Sequence, residues 1–137
     1  MTPEDLTKSG TESGHQRALF MWSSLYEIRA KWPELKWLYA IPNGGQRSGS
    51  QGATLKAEGV KSGISDICFP CARKGYHGLY IEMKKPGNDQ VTPKIKPGKE
   101  SDEQIAFGVF LVEQGYLYRC CWTYDEARET LEWYLGE

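Results

Sequence analysis

Gly63-Ile64-Ser65-Asp66-Ile67-Cys68-Phe69 and, after a glycine-rich turn, Leu79-Tyr80-Ile81-Glu82-Met83-Lys84-Lys85 form the stretch on which the reading of this chain turns. The second segment alternates as a half-buried strand does. Leu79, Ile81 and Met83 take one face and Tyr80, Glu82 and Lys84 the other, because successive strand side chains point oppositely. Glu82 and Lys84 then stand roughly 7 Å apart along one face. The turn Lys74-Gly75-Tyr76-His77-Gly78 joins the two runs into a hairpin. Centred near Gly75, that hairpin sets Asp66 opposite Lys84 and diagonal to Glu82, with all three on the same face. Two acids and a lysine converge where water reaches them.

Two carboxylates suit a hard divalent cation such as magnesium, which takes oxygen ligands and keeps several waters. A lysine beside it orients or deprotonates a water, or offsets charge on a phosphate under attack. A Glu-x-Lys pair by itself also describes an ordinary exposed strand. The acid on the neighbouring strand, at compatible parity, is what favours the metal site.

A chain of 137 residues makes one domain of ordinary size with a real core. Apolar residues at 39% and charged residues at 26% describe a globular protein rather than a disordered one. Five tryptophans and eight tyrosines suit a core, a subunit interface or a base-stacking surface, and composition does not choose among them. The formal net charge of −1 lacks the basic footprint of a nucleic-acid binder, so an anionic partner requires local basic patches. No apolar run of about 18 residues spans a membrane. Met1-Thr2-Pro3-Glu4-Asp5 has no basic and apolar signal character, so a cytoplasmic location is expected.

Cys68 and Cys71 have C-x-x-C spacing, whereas Cys120 and Cys121 are adjacent in an expected strand and face opposite sides. That discourages a four-thiolate zinc site and leaves reduced, half-buried thiols as the expectation.

Residues 1–10 are polar and read as a flexible arm, followed by a single domain over 11–137. A helix is expected from Thr11 to Ala30, with Ala18, Met21, Trp22, Leu25 and Ile28 as its apolar stripe. Glu12 and Gln16 share a face near its start, where a glutamate ordinarily complements the helix dipole. Trp32-Pro33-Glu34 ends the helix, and Trp37 to Ile41 reads as the first strand. From Asn43 to Gly52 the chain is a loop, either plainly flexible or built so that backbone amides and Arg47 meet phosphates. Ala53 to Glu58 is a short helix stopped by Gly59.

Pro86 to Glu100 is a long loop carrying Lys94, Lys96 and Lys99, either a phosphate-contacting flap or solvated lysines. Ser101-Asp102-Glu103-Gln104 is a capping box opening a helix whose buried stripe is Ile105, Val109 and Val112. Gly115 ends it. Tyr116 to Trp122 reads as a fourth strand. Thr123-Tyr124-Asp125-Glu126 caps a last helix, with Ala127, Leu131 and Tyr134 or Leu135 turned inward. No internal repeat is present. The order of elements predicts an α/β fold with a mixed central sheet flanked by helices.

Asp66 followed by Glu82-Met83-Lys84 resembles the core of the PD-(D/E)xK nuclease superfamily. Ser13-Gly14-His15-Gln16, Ala40-Ile41-Pro42-Asn43-Gly44-Gly45, Leu55-Lys56-Ala57-Glu58-Gly59-Val60-Lys61-Ser62-Gly63, Gly75-Tyr76-His77-Gly78-Leu79-Tyr80-Ile81-Glu82 and Gln104 follow in the order of the VRR-NUC family, the virus-type replication-repair nucleases. The resemblance runs from Glu12 to Leu135. One departure is Ser65, which stands where the family usually has a proline stiffening the entry to the aspartate strand.

The resemblance implies a restriction-endonuclease-like fold. It turns Glu12, rather than Glu4, into an acidic ligand on the first helix. Glu12, Asp66 and Glu82, with the Met83 carbonyl, are then expected to bind one or two Mg²⁺ or Mn²⁺ ions. Lys84 is expected to position or activate the attacking water, and Gln104 to face the site and help orient that water. Asn43, Arg47, Lys61, Lys85, Lys94, Lys96 and Lys99 are the candidate nucleic-acid contacts. Small free-standing members resemble homodimers that cut branched DNA, Holliday junctions in particular, and a bacterial or phage source is expected. The alternatives are a flap, single-strand or duplex nuclease of the same fold, a binding module without chemistry, and a zinc-stabilised interaction domain.

Overall fold

The computed structural model describes residues 1–42, 49–87 and 96–137. Among them, the sheet has four strands in the order β1 (Tyr39–Ala40), β2 (Ile67–Phe69), β3 (Leu79–Met83) and β4 (Leu117–Cys121). β1–β2 and β2–β3 are antiparallel, and β3–β4 is parallel. A parallel pair needs a crossover, which here contains α5 (Asp102–Glu113). The result is the mixed sheet with flanking helices that the order of elements predicts.

One face of the sheet is the core. Ile67, Phe69, Leu79, Ile81 and Met83 are each 0% exposed. They pack with Ala18, Leu19 and Trp22 of α2 (Glu12–Ser23) and with Ala127, Leu131 and Tyr134 of α6 (Tyr124–Leu135). Each large apolar side chain buried this way stabilises by roughly 1.5–3 kcal/mol. The inward residues of α6 are the expected ones. On the other face Tyr39, Cys68, Tyr80 and Tyr118 lie side by side in register.

The hairpin register differs from the expectation. Ile67 pairs with Ile81 and Phe69 with Leu79, so the ladder carried one step further sets Asp66 across from Glu82, not Lys84. The turn tip is at Lys74–Gly75, both with positive φ, closed by an Arg73–Tyr76 bridge. Between that bridge and the ladder, Pro70, Cys71 and Ala72 oppose only His77 and Gly78, an extra residue of the bulge kind. The register moves by two, so parity and face survive while the partner changes.

Other elements depart locally. Residues expected to form a flexible arm contain α1 (Pro3–Thr7), capped by a reciprocal Thr2–Asp5 box. α1 lies so close to α2 that a Cβ on Gly14 would stand 2.6 Å from the Leu6 carbonyl oxygen. The long first helix is two, α2 and α3 (Tyr26–Lys31), and Pro33–Trp37 is a 3₁₀ turn that leaves β1 only two residues. α4 spans Gly49–Ala57. The expected buried stripe of α5 is reversed: Ile105, Val109, Phe110 and Val112 are 48–61% exposed, while Gly108 and Leu111 face inward. α5 is apolar nearly all round, so periodicity did not distinguish its inner side.

Candidate active site

Glu12 is the first residue of α2, placed there by Thr11, whose side chain accepts from the Gly14 N–H at 2.9 Å. Asp66 precedes β2, and its carbonyl accepts from the Ile41 N–H at 2.7 Å. Its Oδ2 accepts from the Met83 N–H at 2.8 Å, which ties the aspartate to the end of β3. In an extended strand the N–H and C=O of one residue share an edge, so the Met83 carbonyl is directed to the Asp66 side. Glu82 is only 2% exposed, against the expectation of an open strand face. Its burial follows from α5 lying over this end of the sheet.

The electrostatics join four of the predicted residues into one site. Burial, then the Asp66 charge, raises the Glu12 carboxyl above its ordinary range, and Lys84 opposes the shift. Burial pushes Glu82 up to about 9, reinforced by the Asp66 charge and by Glu12, again against Lys84. Such mutual shifts require the three carboxylates and the ammonium to be neighbours.

Gln104 holds Glu82 in place. Its Oε1 accepts from the Ser101 N–H at 2.8 Å, completing the expected capping box, while its Nε2 donates to Glu82 Oε1 at 2.7 Å. One side chain thus closes the α5 N-terminus and orients a site carboxylate. The resemblance implied that Gln104 faces the site, and its hydrogen bond there goes to Glu82.

The other Glu82 oxygen, Oε2, is buried without a hydrogen-bond partner. A buried carboxylate oxygen left so is costly unless a proton or cation satisfies it. An all-oxygen donor set of Glu12, Asp66, Glu82 and the Met83 carbonyl has the chemistry of a Mg²⁺ or Mn²⁺ site. Among the described residues no three His, Cys, Asp or Glu side chains already close on a single point. The residues therefore fit a hard divalent cation by donor type and by the orphaned oxygen.

Ser65, at the position of the family's proline, is 1% exposed and its Oγ has no partner. Gly63 adopts φ +82° and lets this loop touch α5: a Cβ there would stand 2.7 Å from Glu103 Cβ. The Ser62 hydroxyl donates to Glu103 at the same contact.

Among the candidate nucleic-acid contacts, Lys61, Lys85, Lys96 and Lys99 are exposed. The Gly98 N–H donates to the Lys85 carbonyl at 2.8 Å, so the end of the lysine-bearing loop returns to the site. Asn43, Arg47 and Lys94 lie outside the described residues. A cavity of about 210 Å³ is lined by Glu12, Ser13, Gln16 and Arg17. All four cysteines are free thiols. Cys68 is buried in β2, and burial raises the pKa of the Cys71 thiol just beyond it.

Sequence reasoning missed two neighbours of the site, Glu100 and Tyr118. The Tyr118 O–H donates to Glu100 Oε2, and both charges, Glu100 and Glu82, raise the thiol of Cys120, which stands beside Glu82 in register. Burial is the larger cause of that shift, to about 12. The signal available was the phase of β4, which sets Tyr118 two residues from Cys120 on one face.

No family model matches the chain, and no curated sequence matches it significantly. A solved structure described as a VRR_NUC domain protein is similar over 91% of this chain and 88% of that one, at 26% identity and a TM-score of 0.69. Among the described residues no helix is long and apolar enough to cross a membrane.

Proposed function

We propose that this chain, a VRR-NUC domain by fold, is a divalent-metal-dependent deoxyribonuclease that hydrolyses phosphodiester bonds at branched DNA such as Holliday junctions. The observation that carries the reading is Glu82: buried, bonded to Gln104 through one oxygen, unpartnered at the other, across from Asp66 and in the field of Glu12 and Lys84. A carboxylate held this way is costly to a fold that does not use it.

In this reading Glu12, Asp66, Glu82 and the Met83 carbonyl hold Mg²⁺ or Mn²⁺. The bound cation supplies Lewis-acid polarisation of the scissile phosphate. Lys84, whose charge reaches both Glu12 and Glu82, is assigned to hydrogen-bond the attacking water and offset charge on the phosphate oxygens. Water oxygen bonds to phosphorus, the P–O bond to the leaving sugar oxygen breaks, and the proton lost by water ends on that alkoxide. Gln104 keeps Glu82 in one orientation, and Asp66 is kept by the Met83 N–H. Exposed Lys61, Lys85, Lys96 and Lys99 are the basic side chains assigned to phosphate contact despite the net charge of −1. The uncovered apolar side of α5 supports pairing of two copies, and two sites about a two-fold axis suit paired nicks in a symmetric junction.

The test is a panel of labelled junctions, flaps, single strands and duplexes incubated with Mg²⁺, with Mn²⁺ and with neither. Junction cleavage that needs metal and disappears in Asp66→Ala supports the reading. Full activity in Asp66→Ala, or no cleavage of any substrate with Mn²⁺, overturns it.

A further inference from the structure

We infer that Tyr118 and Glu100 are a positioning pair that keeps Gln104 aimed at Glu82. The inference rests on the metal-site reading above and goes beyond it to residues outside the acid–lysine set. Tyr118 acts through α5. Its ring lies flat against the helix at Gly108, where an added Cβ would stand 2.8 Å from Tyr118 Cε2. Gly108 is four residues after Gln104 and therefore on the same side of the helix. The Tyr118 hydroxyl meanwhile donates to Glu100, the residue before the Ser101 N-cap.

One side chain thereby touches α5 at its second turn and grips the chain just before its first. That fixes where the helix begins along its axis, and so how far Gln104 Nε2 reaches. Two further bonds hold the same approach: Trp122 Nε1–H donates to the Gly98 carbonyl at 2.7 Å, and the Gly98 N–H donates to Lys85 at 2.8 Å. A hydrogen bond from a phenol to a carboxylate is among the stronger ones in proteins. Tyr118 lies next to Arg119 and two residues before Cys120, which pairs with Glu82 itself, so the grip is anchored on the strand beside the site.

The test uses the full chain with Tyr118→Phe, which keeps the ring and removes only the hydroxyl. Without metal or DNA, the side-chain amide of Gln104 is followed by nitrogen-15 NMR. With metal, the Mn²⁺ dissociation constant is measured by calorimetry. Tyr118→Phe and Glu100→Ala are each expected to shift the Gln104 amide and to weaken Mn²⁺ binding about tenfold, the usual scale for groups that orient a ligand. Glu100→Gln, which retains an acceptor for the phenol, is expected to stay near wild type. In a Gln104→Ala background, Tyr118→Phe is expected to add no further loss, as residues acting through one another do not add. An unmoved Gln104 amide in Tyr118→Phe overturns the inference, as does a full extra loss in the Gln104→Ala background. Absence of Mn²⁺ binding in the wild type overturns the metal-site reading instead, and the amide shift still decides the positioning claim.

Discussion

Gln104 Nε2 and Glu82 Oε1 are joined by a 2.7 Å hydrogen bond between the first turn of α5 and the end of β3. The opposite end of the same amide accepts from the Ser101 N–H. A residue that an isolated helix would use only as a cap is here also the orienting partner of a buried carboxylate. The two roles separate by mutation. Gln104→Ala is expected to cost about 1 kcal/mol of stability through the cap and to lower cleavage roughly 10–100-fold through Glu82. Ser101→Ala removes the reciprocal hydroxyl yet leaves the backbone donor to Gln104, so it is expected to cost similar stability with cleavage near wild type. Thermal melts and initial rates on both variants check this; equal loss of activity would show that only helix stability matters.

Glu82 makes the metal-free protein sensitive to base. Its carboxyl is raised from 4.5 to about 9, so the folded state holds a proton that the unfolded state has released across that window. Stability should therefore fall as pH rises from about 4.5 toward 9, because the folded state binds more protons there. Glu82→Gln should melt higher than wild type at pH 8 in chelator, with the gap closing toward pH 5, and should not cleave. Added Mn²⁺ should raise the wild-type melting temperature and leave the variant unmoved. A variant less stable than wild type at pH 8 would contradict the buried-charge account.

Ser65 buries a hydroxyl with no partner. Removing an unsatisfied buried polar group relieves a desolvation cost of about 1–3 kcal/mol. Ser65→Ala is expected to raise the denaturation midpoint at unchanged slope, and a lower midpoint would mean that the hydroxyl has a partner in solution.

The exposed side of α5 carries Ile105, Val109, Phe110 and Val112, with Asp102 and Glu113 also exposed on that side. An exposed apolar patch of a few hundred Å² marks an interaction surface. If copies pair there, Val109→Asp with Phe110→Asp should convert a dimer to a monomer by light scattering while leaving circular dichroism unchanged. A dimer that survives both charges pairs elsewhere.

The acids and the lysine of β3 were legible because strand alternation depends only on the local backbone, and the turn between the runs preserved parity. The partner of Asp66 was not, since a turn tip centred at Lys74–Gly75 and one extra residue between Phe69 and Arg73 together moved the register by two, which keeps the face. The cap at Ser101 and Gln104 was legible from four adjacent residues. Its second bond, to Glu82, joins segments 22 residues apart and depends on how α5 crosses the sheet. The Tyr118–Glu100 contact was hidden for the same reason.

Local patterning by itself determined the order of elements, the caps, and which residues of β3 share a face, because each depends on neighbours within a turn of helix or a few strand positions. Only the tertiary structure decided that Asp66 faces Glu82, that Glu82 is buried, and that the apolar side of α5 left exposed is the one carrying Val109. Those outcomes are set by the bulge and the helix crossing, where packing between distant segments outweighs any preference of the residues themselves.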